Sequence, residues 1–88
     1  VQHGSRYAVI VQSDLLLGLS TLAICPTSQS APPARFHPEI DLGGERTQVL
    51  CEMIRAFDAR KLGPSAGHLS SDEMAAVDEA LELVLDLR

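Results

Sequence analysis

The segment Ser70-Ser71-Asp72-Glu73 constrains this chain more than any other. Ser70 stands where a helix N-cap accepts a backbone N–H, and Glu73, three residues on, is placed to reach back to the N–H of Ser70. Acids at this end also meet the positive end of the helix dipole. Met74, Val77, Leu81 and Val84 then recur at three- and four-residue spacing, which predicts an amphipathic helix ending near Leu87. Such a stripe needs a surface to lie on. Upstream, Gly18, Pro26, Pro32-Pro33, Pro38, Gly43-Gly44 and Gly63-Pro64 interrupt the chain too often for a second long helix. The surface must be built from short strands.

Tyr7–Gln12 (Tyr-Ala-Val-Ile-Val-Gln) is a β-rich run that fits a first strand. Ser20–Cys25 reads as a second, stopped by Pro26, with a polar, proline-bearing loop over 27–35. Phe36–Leu42 alternates Phe36, Pro38, Ile40 and Leu42 against His37, Glu39 and Asp41, a half-buried strand that Pro38 makes an edge. Gly43-Gly44 is a turn signal and not a phosphate loop, because no helix with the required Lys and Ser/Thr follows. Thr47–Ile54 reads as a further strand and Asp58–Leu62 as one helical turn. The expectation is mainly β with a C-terminal α-helix, a single domain over residues 1–88 in which the helix packs on a small barrel-like sheet.

At 88 residues, 45% hydrophobic and 22% charged, the chain is able to form a core, which excludes a disordered class. A domain so small often gains stability from a second copy or a partner. The net charge of −5 argues at first against nucleic acid, but it is uneven: residues 71–88 hold six acids against Arg88 alone, whereas in residues 1–70 six bases balance six acids. An anion site upstream of the helix is therefore compatible with the total. Cys25 and Cys51 are too few for a disulfide framework and lack metal-ligand spacing, so they read as buried thiols of a cytoplasmic protein with no metal. No apolar run approaches a membrane span.

Polar residues beside the first two strands stand out. A hairpin pairing Gln12 with Thr21 would set Arg6 opposite Thr27, a cation and a hydroxyl at one rim, with Ser28 and Gln29 continuing it as donors for a phosphate and for base edges. Taken alone, the commoner account of such residues is a solvated loop. Glu52 lies between Cys51 and Met53 and is either an outward-facing charge or a site residue. His3, His37 and His68 are dispersed and read as surface or strand-edge groups. Arg55, Asp58 and Arg60 read as solvated ion pairs of little energetic weight.

Four segments in order carry a resemblance. Arg6-Tyr-Ala-Val-Ile-Val-Gln-Ser-Asp14 is similar to the "RPxVVxQ(S/N)D" strand of MazF/PemK-type toxins, and Ala23-Ile-Cys-Pro-Thr-Ser-Gln29 resembles their Thr-containing strand end. Val49-Leu-Cys-Glu-Met-Ile-Arg-Ala-Phe-Asp58 resembles "VLxEQIRTxD", and Gly67–Leu81 resembles "GxLSxxxMxxVDxAL". The resemblance implies a small SH3-like barrel of the MazF/CcdB type. It further implies a homodimeric, metal-free and cofactor-free endoribonuclease that cuts single-stranded RNA at a short sequence, through the 2′-hydroxyl, leaving a 2′,3′-cyclic phosphate. A MazE-like antitoxin is the implied partner. Residue by residue, the catalytic Arg and Thr of the family match Arg6 and Thr27, with Ser28 the alternative if the loop is aligned one residue differently. The family's RNA-holding Glu-Gln falls on Glu52 and Met53.

With a pKa above about 12, Arg6 is poorly matched as a general base near neutrality and better suited to stabilising charge on the phosphoryl group and assisting the leaving group. Two departures accompany the resemblance. Only His3-Gly4-Ser5 stands where the family has its usual first strand and the loop over the RNA site, so the fold is expected to lack that strand and RNA binding to be weakened. Tyr7 replaces the usual Pro, and Met53 replaces Gln, removing a base-reading amide. The competing readings are a shortened, inactive homologue that only dimerises or binds antitoxin, and a CcdB-like gyrase-binding toxin, whose Trp-Gly-Ile terminus this chain lacks.

Overall fold

The structure is a computed structural model and describes residues 7–11 and 21–85. Five strands and one long helix make up these parts: β1 (Ala8–Ile10), β2 (Thr21–Ser28), β3 (Glu39–Leu42), β4 (Glu45–Val49), β5 (Arg55–Asp58) and α1 (Ser71–Leu85). β2 is the axis of the sheet. β1 pairs antiparallel along one side of it, while β5 and then β4 occupy the other side, with β3 beyond β4 at the edge. Among the described residues β1 has β2 as its only strand partner.

Pro26 does not end the second strand. β2 runs through it to Ser28, because Pro26 sits where β2 changes partners: β5 pairs as far as Ile24 and β4 begins at Thr27. The missing N–H falls at this break, while the Pro26 carbonyl accepts from Leu50 N at 2.9 Å. The expected strand Thr47–Ile54 also divides. It stops after Val49, turns through a single 3-10 turn over Cys51–Met53, and resumes as β5, whose residues rejoin β2 from Ile24 to Thr21. The turn is closed by bonds from Met53 N to Leu50 O and from Ile54 N to Cys51 O, and it lets Cys51 point into the core while Glu52 and Met53 point out. The helical turn at 58–62 is a 3-10 turn over Ala59–Lys61, capped by Asp58, which accepts from Arg60 N.

β3 begins only at Glu39, and it forms an edge as Pro38 implied. Gly43 and Gly44, at φ 63° and 90°, make the two-residue turn to β4, a left-handed conformation in which any Cβ is strained. Gly44 N donates to Asp41 Oδ1, closing the turn further.

Val9, Cys25, Ile40, Val49 and Cys51 from the sheet side meet Val77 and Ala80 of α1 in one core, with Leu81 and Val84 packed against it. Met74 is only half-buried, and Ala80 takes a core place that its small side chain had not announced. The capping box forms as its spacing demands: Glu73 N donates to Ser70 Oγ and Ser70 N to Glu73 Oε1. The other Glu73 oxygen accepts from Asp41 N at 2.7 Å, fastening the helix start to β3. The backbone N–H groups of Ser70 and Asp41 hold the Glu73 carboxyl below its ordinary value, so this clasp is complete near neutrality and lost as pH falls through the depressed value. Replacing Ser70 with Ala will lower stability by about 1 kcal/mol, readable as a shifted midpoint in urea.

Candidate functional site

The end of β2 gathers three of the residues singled out above. The register is one residue away from the pairing of Gln12 with Thr21: Ala8 lies opposite Pro26, Val9 opposite Cys25 and Ile10 opposite Ile24. The apolar face decides this, since it sends Val9 into the core beside Cys25 while Ala8 and Ile10 face outward. Thr27 therefore meets Tyr7, and its hydroxyl donates to the Tyr7 carbonyl at 2.7 Å. Thr27 is 8% exposed, and with its proton so committed it faces a ligand chiefly as an acceptor. Arg6 lies outside the described residues.

Ser28 differs from its neighbour. Its Oγ accepts from the backbone N–H groups of Ser30 and Ala31, both at 3.1 Å, which leaves its own proton available to donate. Gln29 is exposed and gives one amide N–H to Glu45 Oε1 at 2.7 Å. Opposite Ser28 on β4, Gln48 sends its amide nitrogen to the Ala31 carbonyl, while its buried Oε1 accepts no hydrogen bond. The polar loop after β2 is thus tied down at several points.

Glu52 and Met53 lie on the 3-10 turn that packs on β2. Met53 is 46% exposed and free of the core. The Glu52 carboxylate has a partner that the sequence did not reveal: both its oxygens lie against His37 Nε2, at 3.0 and 2.9 Å. His37 is not a surface group. It is 9% exposed, its other nitrogen, Nδ1, lies 2.8 Å from the Pro32 carbonyl, and the edge of the Phe36 ring closes on it. With an acceptor against each nitrogen, the ring satisfies both partners only when it carries a proton on each, so these surroundings favour the protonated form of His37.

Burial alone would pull His37 down, but the Glu52 carboxylate and the Pro32 carbonyl outweigh it and hold the ring above its ordinary value of 6.5. Because the folded value is the higher one, the contribution of this pair to stability is complete below about pH 6.5 and is lost as pH rises through the raised value. Melting temperatures taken from about pH 6 to 9 will fall more in the native chain than in Glu52→Gln, where the charge partner is gone. Equal slopes in the two proteins would refute the pairing.

The remaining groups are structural. Cys25 and Cys51 are free and buried, as expected. Cys51 donates to Cys25, which with burial pushes the Cys51 thiol well above the ordinary range and leaves it inert. Arg60 pairs with Asp58, and Arg46 with Glu39, on exposed surface. Arg55 is paired with neither, contrary to the expected grouping. A cleft of about 550 Å³ opens between the rim at Tyr7 and Thr27, the β3–β4 turn and the segment Leu62–Leu69. Ser28, Glu52 and Met53 are not on its wall. Among the described residues no cluster of His, Cys, Asp and Glu is arranged to hold a metal ion, and no helix is long and apolar enough to cross a membrane.

The described residues thus form an antiparallel half-barrel centred on one long strand, closed by a capped helix and carrying a hydroxyl-rich strand end. Residues 1–85 match the family model of PemK-like, MazF-like toxins of type II toxin–antitoxin systems, and the chain belongs to this family. A toxin candidate of Mycobacterium tuberculosis, Rv3098A, is 37% identical over 98% of this chain and 81% of its own length. The Bacillus subtilis endoribonuclease EndoA is 36% identical over 98% of this chain and 80% of its own. Among solved structures, the M. tuberculosis toxin MazF-mt6 superposes with a TM-score of 0.86 at 18% identity, over 94% of this chain and 88% of the toxin, which bears on the fold. A mycobacterial endoribonuclease in complex with its cognate antitoxin does so with a TM-score of 0.86 at 15% identity, over 98% and 85%.

Proposed function

We propose that this chain is an endoribonuclease toxin that cuts single-stranded RNA at a short sequence without a metal. The observation that carries the reading is the match over nearly the whole chain to a toxin family that includes a relative named as an endoribonuclease. The end of β2 supports it, because a strand end bearing two hydroxyls and an amide suits a phosphodiester and its flanking bases. In the reaction the RNA's own 2′-oxygen attacks phosphorus, the bond from phosphorus to the 5′-oxygen breaks, and the departing 5′-oxygen takes up a proton. The products are a 2′,3′-cyclic phosphate and a 5′-hydroxyl. Since the nucleophile belongs to the substrate, the protein has to supply orientation, stabilisation of charge on the phosphoryl oxygens and help to the leaving group.

Arg6 is assigned the charge stabilisation and Thr27 the orientation of the scissile phosphate or the 2′-hydroxyl. Ser28 is the alternative hydroxyl, and its freer proton favours it as a donor to a phosphoryl oxygen. Ser28, Gln29, Glu52 and Met53 are assigned to holding the RNA. A homodimer and an antitoxin partner belong to the same reading, consistent with a structural neighbour found bound to its cognate antitoxin. The test is to incubate the purified chain with a long single-stranded RNA in EDTA and sequence the product ends. Discrete cuts ending in cyclic phosphate are expected. Intact RNA, with the protein folded and still co-purifying with the product of the neighbouring gene, would establish an inactive antitoxin-binding homologue instead.

A further inference from the structure

We propose that His37 is a positioning residue of the RNA site, a buried wedge that locks the Glu52 carboxylate in place as a fixed hydrogen-bond acceptor for the amino edge of a base. The proposal rests on the reading of the chain as an RNA-cleaving toxin. Its basis is geometric. His37 joins two parts of the chain that are far apart in sequence, taking the Pro32 carbonyl of the β2–β3 loop at Nδ1 and the Glu52 carboxylate of the 3-10 turn at Nε2. The same loop is held by Ser28 Oγ, which accepts from Ser30 and Ala31, and by Gln48, which donates to Ala31. Ser28, the loop and Glu52 thus form one hydrogen-bonded unit with His37 as its innermost member.

The chemistry of this unit limits what Glu52 can read. The His37 side chain is 6% exposed and that of Glu52 is 38% exposed, so the carboxylate turns one side to the His37 ring and the other to solvent. A carboxylate accepts hydrogen bonds and donates none. Adenine, cytosine and guanine can donate to such an acceptor through their amino groups, and uracil only through its N3–H. Among the described residues Glu52 is the charged group that faces the ring. Gln48 from β4, the Pro32 carbonyl from the loop and the Phe36 ring edge are its neutral neighbours. When the ring loses its proton, one nitrogen faces an acceptor bare, and either the loop or Glu52 is released.

Two measurements on the purified chain test this. Nitrogen NMR of histidine-labelled protein, assigned with His37→Gln, should show both ring nitrogens of His37 protonated near neutrality, and the ring neutral there in Glu52→Gln. A His37 ring with one bare nitrogen in the native chain overturns the lock, whatever the protein does to RNA. Cleavage of short single-stranded RNAs from about pH 6 to 9 should show KM for amino-bearing sites rising roughly tenfold as the ring deprotonates, with kcat little changed. In His37→Gln, KM should be raised at every pH and its pH dependence lost, and Glu52→Gln should show the same loss of pH dependence. An unaltered KM profile in a folded His37→Gln overturns the positioning role. Absence of cleavage by the native chain removes the RNA role with the functional reading, while the NMR result still decides whether the lock exists.

Discussion

On the proposed assignment, Arg6→Ala will lower the rate of RNA cleavage at saturating substrate by about 10²–10³-fold, the usual loss when a donor to developing charge is removed. Arg6→Lys will restore only part of the loss, since a point charge does not reproduce the two parallel bonds of a guanidinium to a phosphoryl group. Thr27→Ala tests the second half of the assignment and has to be read with its stability. The Thr27 hydroxyl donates to the Tyr7 carbonyl at 2.7 Å, so its removal also loses that hydrogen bond, about 0.5–1.5 kcal/mol of folding. Thr27→Ser keeps both functions and should retain activity. If Thr27→Ala stays folded and cleaves normally while Ser28→Ala does not, the acting hydroxyl is that of Ser28, whose proton is the freer of the two. Single-turnover cleavage of one labelled RNA, below the melting temperature of every variant, separates these outcomes.

Val77→Asp will abolish cooperative folding. Val77 is fully buried on the face of α1 that joins Val9, Cys25, Ile40, Val49 and Cys51, and this cluster of described residues contains no cation to meet a carboxylate. An unpaired buried charge costs several kcal/mol, comparable with the ~5 kcal/mol total of a small, marginally stable domain. Circular dichroism should show no sigmoidal thermal transition. Asp78→Ala, one residue along and exposed, should change stability by no more than about 0.5 kcal/mol. A cooperative Val77→Asp melt within a few degrees of the native chain would mean that α1 is not seated on the sheet.

Much of the fold was legible because it is written locally. The capping box at Ser70 and Glu73, the spacing of Val77, Leu81 and Val84, and the turn at Gly43-Gly44 each act within a few residues, and all three form as read. The failures share one cause. Pro26 reads as a stop because its lost N–H is a cost in a regular ladder, yet that cost vanishes where the strand changes partners, which local sequence does not show. Thr47–Ile54 read as one strand because its apolar content has no gap, whereas the bend at Cys51–Met53 comes from having to pair first with one end of β2 and then with the other.

The site divides in the same way. By itself, the sequence determined a capped helix on a small sheet, a chain acidic only in its final segment, and four ordered segments that place it among MazF-like toxins; these are properties of neighbouring residues and of their order. Only the tertiary structure decided that β1 and β2 pair so as to give the Thr27 proton to Tyr7, and that Glu52 is held by a buried, doubly bonded His37 fifteen positions away. Strand register follows from which side chains fill a shared core, and the charge of an imidazole follows from what surrounds each nitrogen. Both depend on contacts between distant parts of the chain, and no local spacing of residues encodes them.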